Sequence, residues 1–333
     1  MRAASFILTS VILWSPTFAR VAGILPDLLK PVTLSVDESQ IYVTQEASVY
    51  IYSLADLKLV RKFGQAGQGP QEFQVVPQIP LTLDVSTDRI IVISLGKVSH
   101  FKKNGDFIDE TRTKGIALFL QPLGDRYIGM SVTQEDKINY RVVNLYDAEI
   151  NRIKEVYRDK HNFQGPGNGL EVLPKPFIYV AYQDKILLPG ADDATVEVFD
   201  TEMKKLFSIT LDQPRIRVDQ AFKDQVIEYL KTDPGTASTF EILKPIRFPE
   251  YFPTIARFFV DDDIIYVMTW RREGDINEFF AYDLKGRFLK KRMIPIEYQT
   301  RLQPYPITVR KSKLYQIVEN EDEDWELHVS VFK

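Results

Sequence analysis

Lys62-Phe63-Gly64-Gln65-Ala66-Gly67-Gln68-Gly69-Pro70-Gln71-Glu72-Phe73 joins two strand-rich stretches, and their pattern recurs through the rest of the chain. Three glycines and one proline this close together permit a tight backbone excursion, because glycine reaches positive φ without a Cβ clash and proline presets a turn. Phe63 and Phe73 flank the excursion and offer apolar anchors for its two ends. The segment therefore reads as a structural loop between repeats, built on Phe63, Gly64, Gly67, Gly69, Pro70 and Phe73.

Outward from this loop, a strand-like core recurs six times, at 40–43, 89–92, 126–129, 185–188, 263–266 and 313–316. A polar turn and a second apolar strand follow, at 49–52, 98–101, 140–146, 196–199, 279–282 and 327–332. Short polar turns such as Lys103-Asn104-Gly105-Asp106 then signal a hairpin. One more apolar strand before each core and one after each such turn makes four antiparallel strands per unit, the make-up of a propeller blade. The expected fold is all-β: a six-bladed β-propeller of four-stranded antiparallel blades, with a helical insertion between blades four and five.

That insertion fills the one long gap between cores, about 212–253. Val218, Phe222, Val226, Tyr229 and Leu230 recur at helical spacing, Asp219 supplies a cap, and Asp233-Pro234-Gly235 ends the pattern. Such a helix either covers the ring by burying its apolar stripe or serves as a lid over a ligand. The sixth unit lacks a fourth strand, and an open edge invites aggregation, so the apolar run 21–29 is expected to pair there and close the ring.

The loop at Phe63-Gly64, Gly67, Gly69-Pro70 and Phe73 resembles the glycine-rich inter-blade loop of NHL-type units, with an eroded second copy at Phe163-Gln164-Gly165-Pro166-Gly167-Asn168-Gly169-Leu170. As a pattern over most of its length, the chain resembles the secreted bacterial six-bladed propellers of the NHL-repeat and TolB-like group. The resemblance implies the fold and selects no activity, since such propellers include lyases, lactonases, receptors and scaffolds. NHL-like amidating lyases hold zinc through histidines, but His100, His161 and His328 stand outside the innermost strands; a structural role is expected for them. Propeller lactonases hold calcium through oxygen ligands in the channel. Here the innermost strands, read at 32–36, 81–85, 116–120, 177–182, 254–260 and 307–310, are mostly apolar, with Asp84, Arg257 and Arg310 as charged exceptions. One acid and two arginines suit an anionic group better than a divalent metal.

The N-terminus carries Met1-Arg2, an apolar run over 3–14 and small residues at Pro16-Thr17-Phe18-Ala19. This reads as a secretory signal over 1–19, with 20–333 as one propeller domain, and the run is too short to span a bilayer, which takes about 20 residues. The expected location is the periplasm or the exterior. With no cysteine, disulfides and thiol chemistry are excluded. A net charge of −4 argues against nucleic acid, which attracts a basic field. The turns between the middle strands are acidic, at Glu135-Asp136, Asp192-Asp193, Glu273 with Asp275, and 319–324.

No nucleophile or dinucleotide motif occurs. The function expected is an exported, monomeric, non-catalytic propeller that binds a small ligand, glycan, peptide or protein on the face formed by inter-blade loops and the insertion, without a cofactor. The alternative is a hydrolase or lyase at the channel mouth, with Asp84, Arg257 and Arg310 around the substrate and calcium admissible only on that reading.

Overall fold

Middle strands such as Gln40–Gln45, with the buried run Ile41-Tyr42-Val43, and Arg89–Ser94, with Ile90-Ile91-Val92, are apolar on both faces because each is packed between two neighbouring blades. A computed structural model, describing residues 19–76, 79–86 and 88–332, arranges the chain as six four-stranded antiparallel sheets. From the innermost strand outward, blade one is Thr33–Val36, Gln40–Gln45, Ser48–Ser53 and Leu59–Phe63. Blade two is Thr82–Val85, Arg89–Ser94, Lys97–Lys102 and Phe107–Arg112. Blade three is Leu118–Leu123, Arg126–Glu135, Ile138–Tyr146 and Arg152–Lys160. Blade four is Val180–Tyr182, Lys185–Pro189, Thr195–Asp200 and Lys205–Thr210. Blade five is Ile255–Asp261, Ile264–Glu273, Ile276–Asp283 and Phe288–Pro295.

Blade six takes three strands from the end of the chain, Ile307–Arg310, Lys313–Glu319 and Trp325–Val331, and its outermost strand, Arg20–Ile24, from the beginning. Arg20 pairs with Val329 and Ile24 with Glu326, so the ring closes as the sequence implies. The six innermost strands touch in cyclic order around the central channel. Residues 1–18, where the signal sequence was read, lie outside the described residues. No helix among the described residues is long and apolar enough to cross a membrane.

Two innermost strands start two or more residues beyond their expected bounds, the others agreeing to within one residue. In blade three the strand starts at Leu118 rather than 116, leaving Ile116 exposed, and Phe119 takes a φ of 51° at a bulge. In blade four it starts only at Val180; the Tyr179 carbonyl accepts from Gln121 Nε2 (3.1 Å) and the Tyr179 hydroxyl donates to the Phe119 carbonyl (2.8 Å).

The glycine loop closes on itself. Gly64 has φ +87°, and a Cβ there would lie 2.4 Å from the Phe73 ring, which is fully buried between blades one and two. The Glu72 carboxylate accepts from the Gly69 backbone N–H (2.8 Å) and from Gln65 Nε2 (2.9 Å), while Lys97 Nζ donates to the Gly69 carbonyl (2.8 Å) and pairs with Glu110 (2.9 Å). Every polar group named here finds its partner inside the loop or on the adjacent blade, which fits a structural strap.

Candidate functional site

Alternating strand direction sorts the connections to two ends of the channel. Loops that enter the innermost strands, together with the turns between the two middle strands, lie at one end; the remaining turns lie at the other. The glycine loop, the acidic middle turns and the insertion thus share one face. Contacts bear this out in blade four: Arg215 of the insertion pairs with Asp193 (2.5 Å), and the Ile255 N–H donates to the Asp193 carbonyl (3.0 Å).

The insertion's helix spans Gln220–Thr232, with the Asp219 side chain accepting from the Phe222 N–H (2.8 Å). Its buried stripe, Phe222, Val226 and Leu230, joins Val172, Leu173, Val218 and Phe240 in an apolar layer separate from the blade cores. Trp270, from the second strand of blade five, and Leu302, from the approach to blade six, pack against that layer. A two-residue parallel ladder ties it down, Leu170–Glu171 against Ile246–Arg247. The close approach explains Gly169: at φ +80°, a Cβ would stand 2.2 Å from the Pro245 carbonyl oxygen.

Beneath the helix lies a cavity of about 250 Å³, lined mainly by Val172, Leu173, Pro174, Pro176, Leu230, Ile255, Ala256, Trp270 and Leu302, with Asn162 and Glu171 as its polar lining. Beside it, a cleft of about 580 Å³ is bordered by Lys175, Asp192, Asp193, Arg215, Arg247 and Tyr251, the Arg215 guanidinium lying 5.2 Å from the Tyr251 ring centre.

Arg257 follows the cavity residues Ile255 and Ala256 on the innermost strand of blade five. It pairs with no carboxylate among the described residues. Burial pushes its guanidinium below the usual arginine pKa, with the nearby Tyr298 hydroxyl acting in the opposite sense. Its side chain is part-buried. A second arginine flanks the same tyrosine, Arg272 Cζ lying 4.8 Å from the Tyr298 ring centre. Tyr298 Oη accepts from Asn277 Nδ2 at 2.9 Å.

The other two charged residues singled out in the sequence stand toward the opposite mouth. Arg257 lies four residues before the far end of its strand and Asp84 one, a difference of about 10 Å along the strand direction at 3.3 Å per residue. Arg310 is the last residue of its strand; its Nη1 faces Asp261 (3.4 Å) and its Nε is buried without a partner. Asp84 makes no hydrogen bond or ion pair among the described residues; burial pushes its carboxyl up to about 6, with Lys103 pulling weakly the other way. Lys103 instead pairs with Asp37 (2.8 Å), which also accepts from Tyr42 Oη (2.7 Å) and from the Ser39 and Gln40 N–H groups (2.8 Å each). Asp84, Arg257 and Arg310 are therefore not drawn into one cluster.

The residues missed in the sequence are Asp261, Arg272 and Tyr298. Asp261 lies one position beyond the strand end read at 260, and the other two come from a second strand and a loop that only packing brings to Arg257. The histidines are held between structural neighbours: His100 Nδ1 lies 2.5 Å from Asp109 and Nε2 3.1 Å from Tyr127 Oη, while His328 meets Glu326 at 3.0 Å. Among the described residues, no group of three or more His, Asp or Glu side chains is placed to hold a metal ion.

No protein-family model matches the chain, and no curated protein matches it. Solved structures do resemble it. Hsv2 of Kluyveromyces lactis aligns at 13% identity over 94% of this chain and 74% of that one, with a TM-score of 0.42. A luciferin-regenerating enzyme aligns at 10% identity over 95% of each chain, TM-score 0.46. A protein of unknown function from Bacteroides caccae aligns at 9% identity over 79% and 81%, TM-score 0.45. At these scores the likenesses favour no activity over another.

Proposed function

We propose that the chain is an exported, non-catalytic binding propeller of NHL-like type whose ligand enters the mouth capped by the insertion. One observation carries this reading: the insertion builds a separate apolar layer over one end of the channel and leaves a lined cavity between itself and the ring. A helix that served only to bury a sheet edge would pack down on the blades, whereas a concave, mostly apolar pocket is the usual form of a ligand site. The glycine loop at 62–73 supports the NHL-like affiliation, and the charge, apolar run and small residues of 1–19 support export. Of the residues read as ligand contacts, Arg257 is the one the cavity favours, because Arg310 already faces Asp261 and Asp84 lies toward the far mouth.

The test is replacement of 213–252 by a short Gly/Ser linker, followed by thermal-shift screening of both proteins against small organic acids, sugars and short peptides. The ring should still melt cooperatively, and compounds that raise the melting temperature of the full chain should lose that effect. Equal shifts in both proteins reject the capped mouth as the binding face. For export, the N-terminal sequence of protein recovered from outside the cytoplasm should begin at Arg20.

A further inference from the structure

We propose that the capped mouth binds a small monocarboxylate with an apolar body, the acid group held by Arg257, Arg272 and the Tyr298 hydroxyl and the body lodged beneath Leu230, Trp270 and Leu302. This rests on the reading of the capped mouth as the ligand face and deepens it to a ligand class.

The argument begins with charge. Arginine stays protonated in proteins, and a charge surrounded by protein is normally paired. Arg257 and Arg272 approach one tyrosine from two strands of blade five, and neither pairs with an acid among the described residues. Glu278, fully buried on the neighbouring strand, faces Lys291 and accepts from Thr269 Oγ1 (3.1 Å). Glu171 stands exposed at the cavity rim. Tyr298 Oη already accepts from Asn277, so its own proton remains to be donated. Two forked cations and a hydroxyl donor suit a carboxylate, which accepts several hydrogen bonds in a plane.

The cavity supplies the other half. Arg257 comes next in its strand after two residues that line the cavity and, with Arg272 and Tyr298, stands just outside that lining, where the three-carbon stem of an arginine lets its charge shift toward a ligand. The lining is mostly aliphatic side chains, prolines and one indole, with no cation in it. Glu171 at the rim disfavours an acid group there, so an amphipathic anion has one favoured orientation, charge inward and body under the helix.

Calorimetric titration of the full chain with octanoate, octan-1-ol and octylamine tests this. Octanoate should bind, octan-1-ol at least about 10-fold more weakly, and octylamine not measurably, since a hydrogen bond to a charged group accounts for about that ratio or more. Arg257→Met should weaken octanoate about 10-fold or more while leaving octan-1-ol unchanged. Arg272→Met, a second variant at a different place in the blade, should act in the same direction. Equal affinity for the acid and the alcohol, an Arg257→Met protein that binds octanoate like the original, or no octanoate binding at all overturns the proposal. Leu230→Asp separates it from the underlying reading: it should abolish binding of both octanoate and the alcohol. Octanoate binding that survives Leu230→Asp yet remains sensitive to Arg257→Met would place the anion site outside the capped cavity. A failure of octanoate alone leaves the capped-mouth reading to be judged by the 213–252 replacement.

Discussion

At the uncapped mouth, Asp37 gathers donors from four residues, Lys311 meets Glu38 at 2.9 Å and Arg310 faces Asp261. At the capped mouth, Arg272 lies over the Tyr298 ring with Arg257 near the same hydroxyl, and neither arginine is in an ion pair among the described residues. Both ends are built by the same six repeats, so repeat architecture does not dictate the contrast. The ion pairs at the uncapped end join neighbouring blades; at the capped end Arg215 pairs with Asp193, but Arg257 and Arg272 are in no ion pair among the described residues. Charge kept where it does not stabilise the fold is best understood as charge kept for something that arrives from outside.

The contrast can be broken in four places, in falling order of effect. Leu230→Asp should cost the insertion more than about 3 kcal/mol of its docking, since it buries an unpaired carboxylate in an apolar layer; hydrogen exchange should show 213–252 opening while the blades stay protected. Asp84→Asn should raise stability at neutral pH by about 3 kcal/mol. The sign follows from its raised value of about 6: the folded chain holds that proton more tightly than the unfolded chain, so stability falls as pH rises from about 4 to about 6, and the variant should lose that slope in urea titrations. Asp37→Ala should act oppositely, lowering neutral stability by about 2 kcal/mol, because the donors around Asp37 hold its pKa down at about 2 against the opposing effect of burial. That contribution is present above the ordinary carboxylate range and is lost as pH falls toward 2, so the difference between Asp37→Ala and the original should vanish in acid. Smallest of all, Arg257→Met should lower the unfolding free energy by no more than about 0.5 kcal/mol in urea titrations, since it removes no partner. A large loss would reveal a hidden structural duty and remove the contrast between the mouths.

The six strand cores were legible because middle strands buried on both faces leave unbroken apolar runs such as Ile41-Tyr42-Val43 and Ile90-Ile91-Val92. The insertion's helix was legible from Asp219 and the spacing of Phe222, Val226 and Leu230, all local signals. What stayed hidden depends on long-range packing. The ladder joining Leu170–Glu171 to Ile246–Arg247 pairs segments far apart in sequence, and neither is long or apolar enough to read as a strand. Tyr298 and Arg272 carried no mark of their own. They gain significance only once blade five and the approach to blade six bring them beside Arg257. The signals at Asp84, Arg257 and Arg310 were real as interruptions of apolar strands, but sequence gives no depth along a channel, so residues toward opposite ends looked like one set.

The strand Arg20–Ile24, hydrogen-bonded to Trp325–Val331, has a temporal consequence. A segment made before the other five sheets is completed by one made after them, so the sixth sheet cannot form until everything from Arg20 to Val331 is available, and five sheets must wait with an unlatched seam. Joining the two ends covalently and opening the chain at another inter-blade turn would move that seam elsewhere, and the refolding rate of such a rearranged chain would report how much of the folding time the latch consumes.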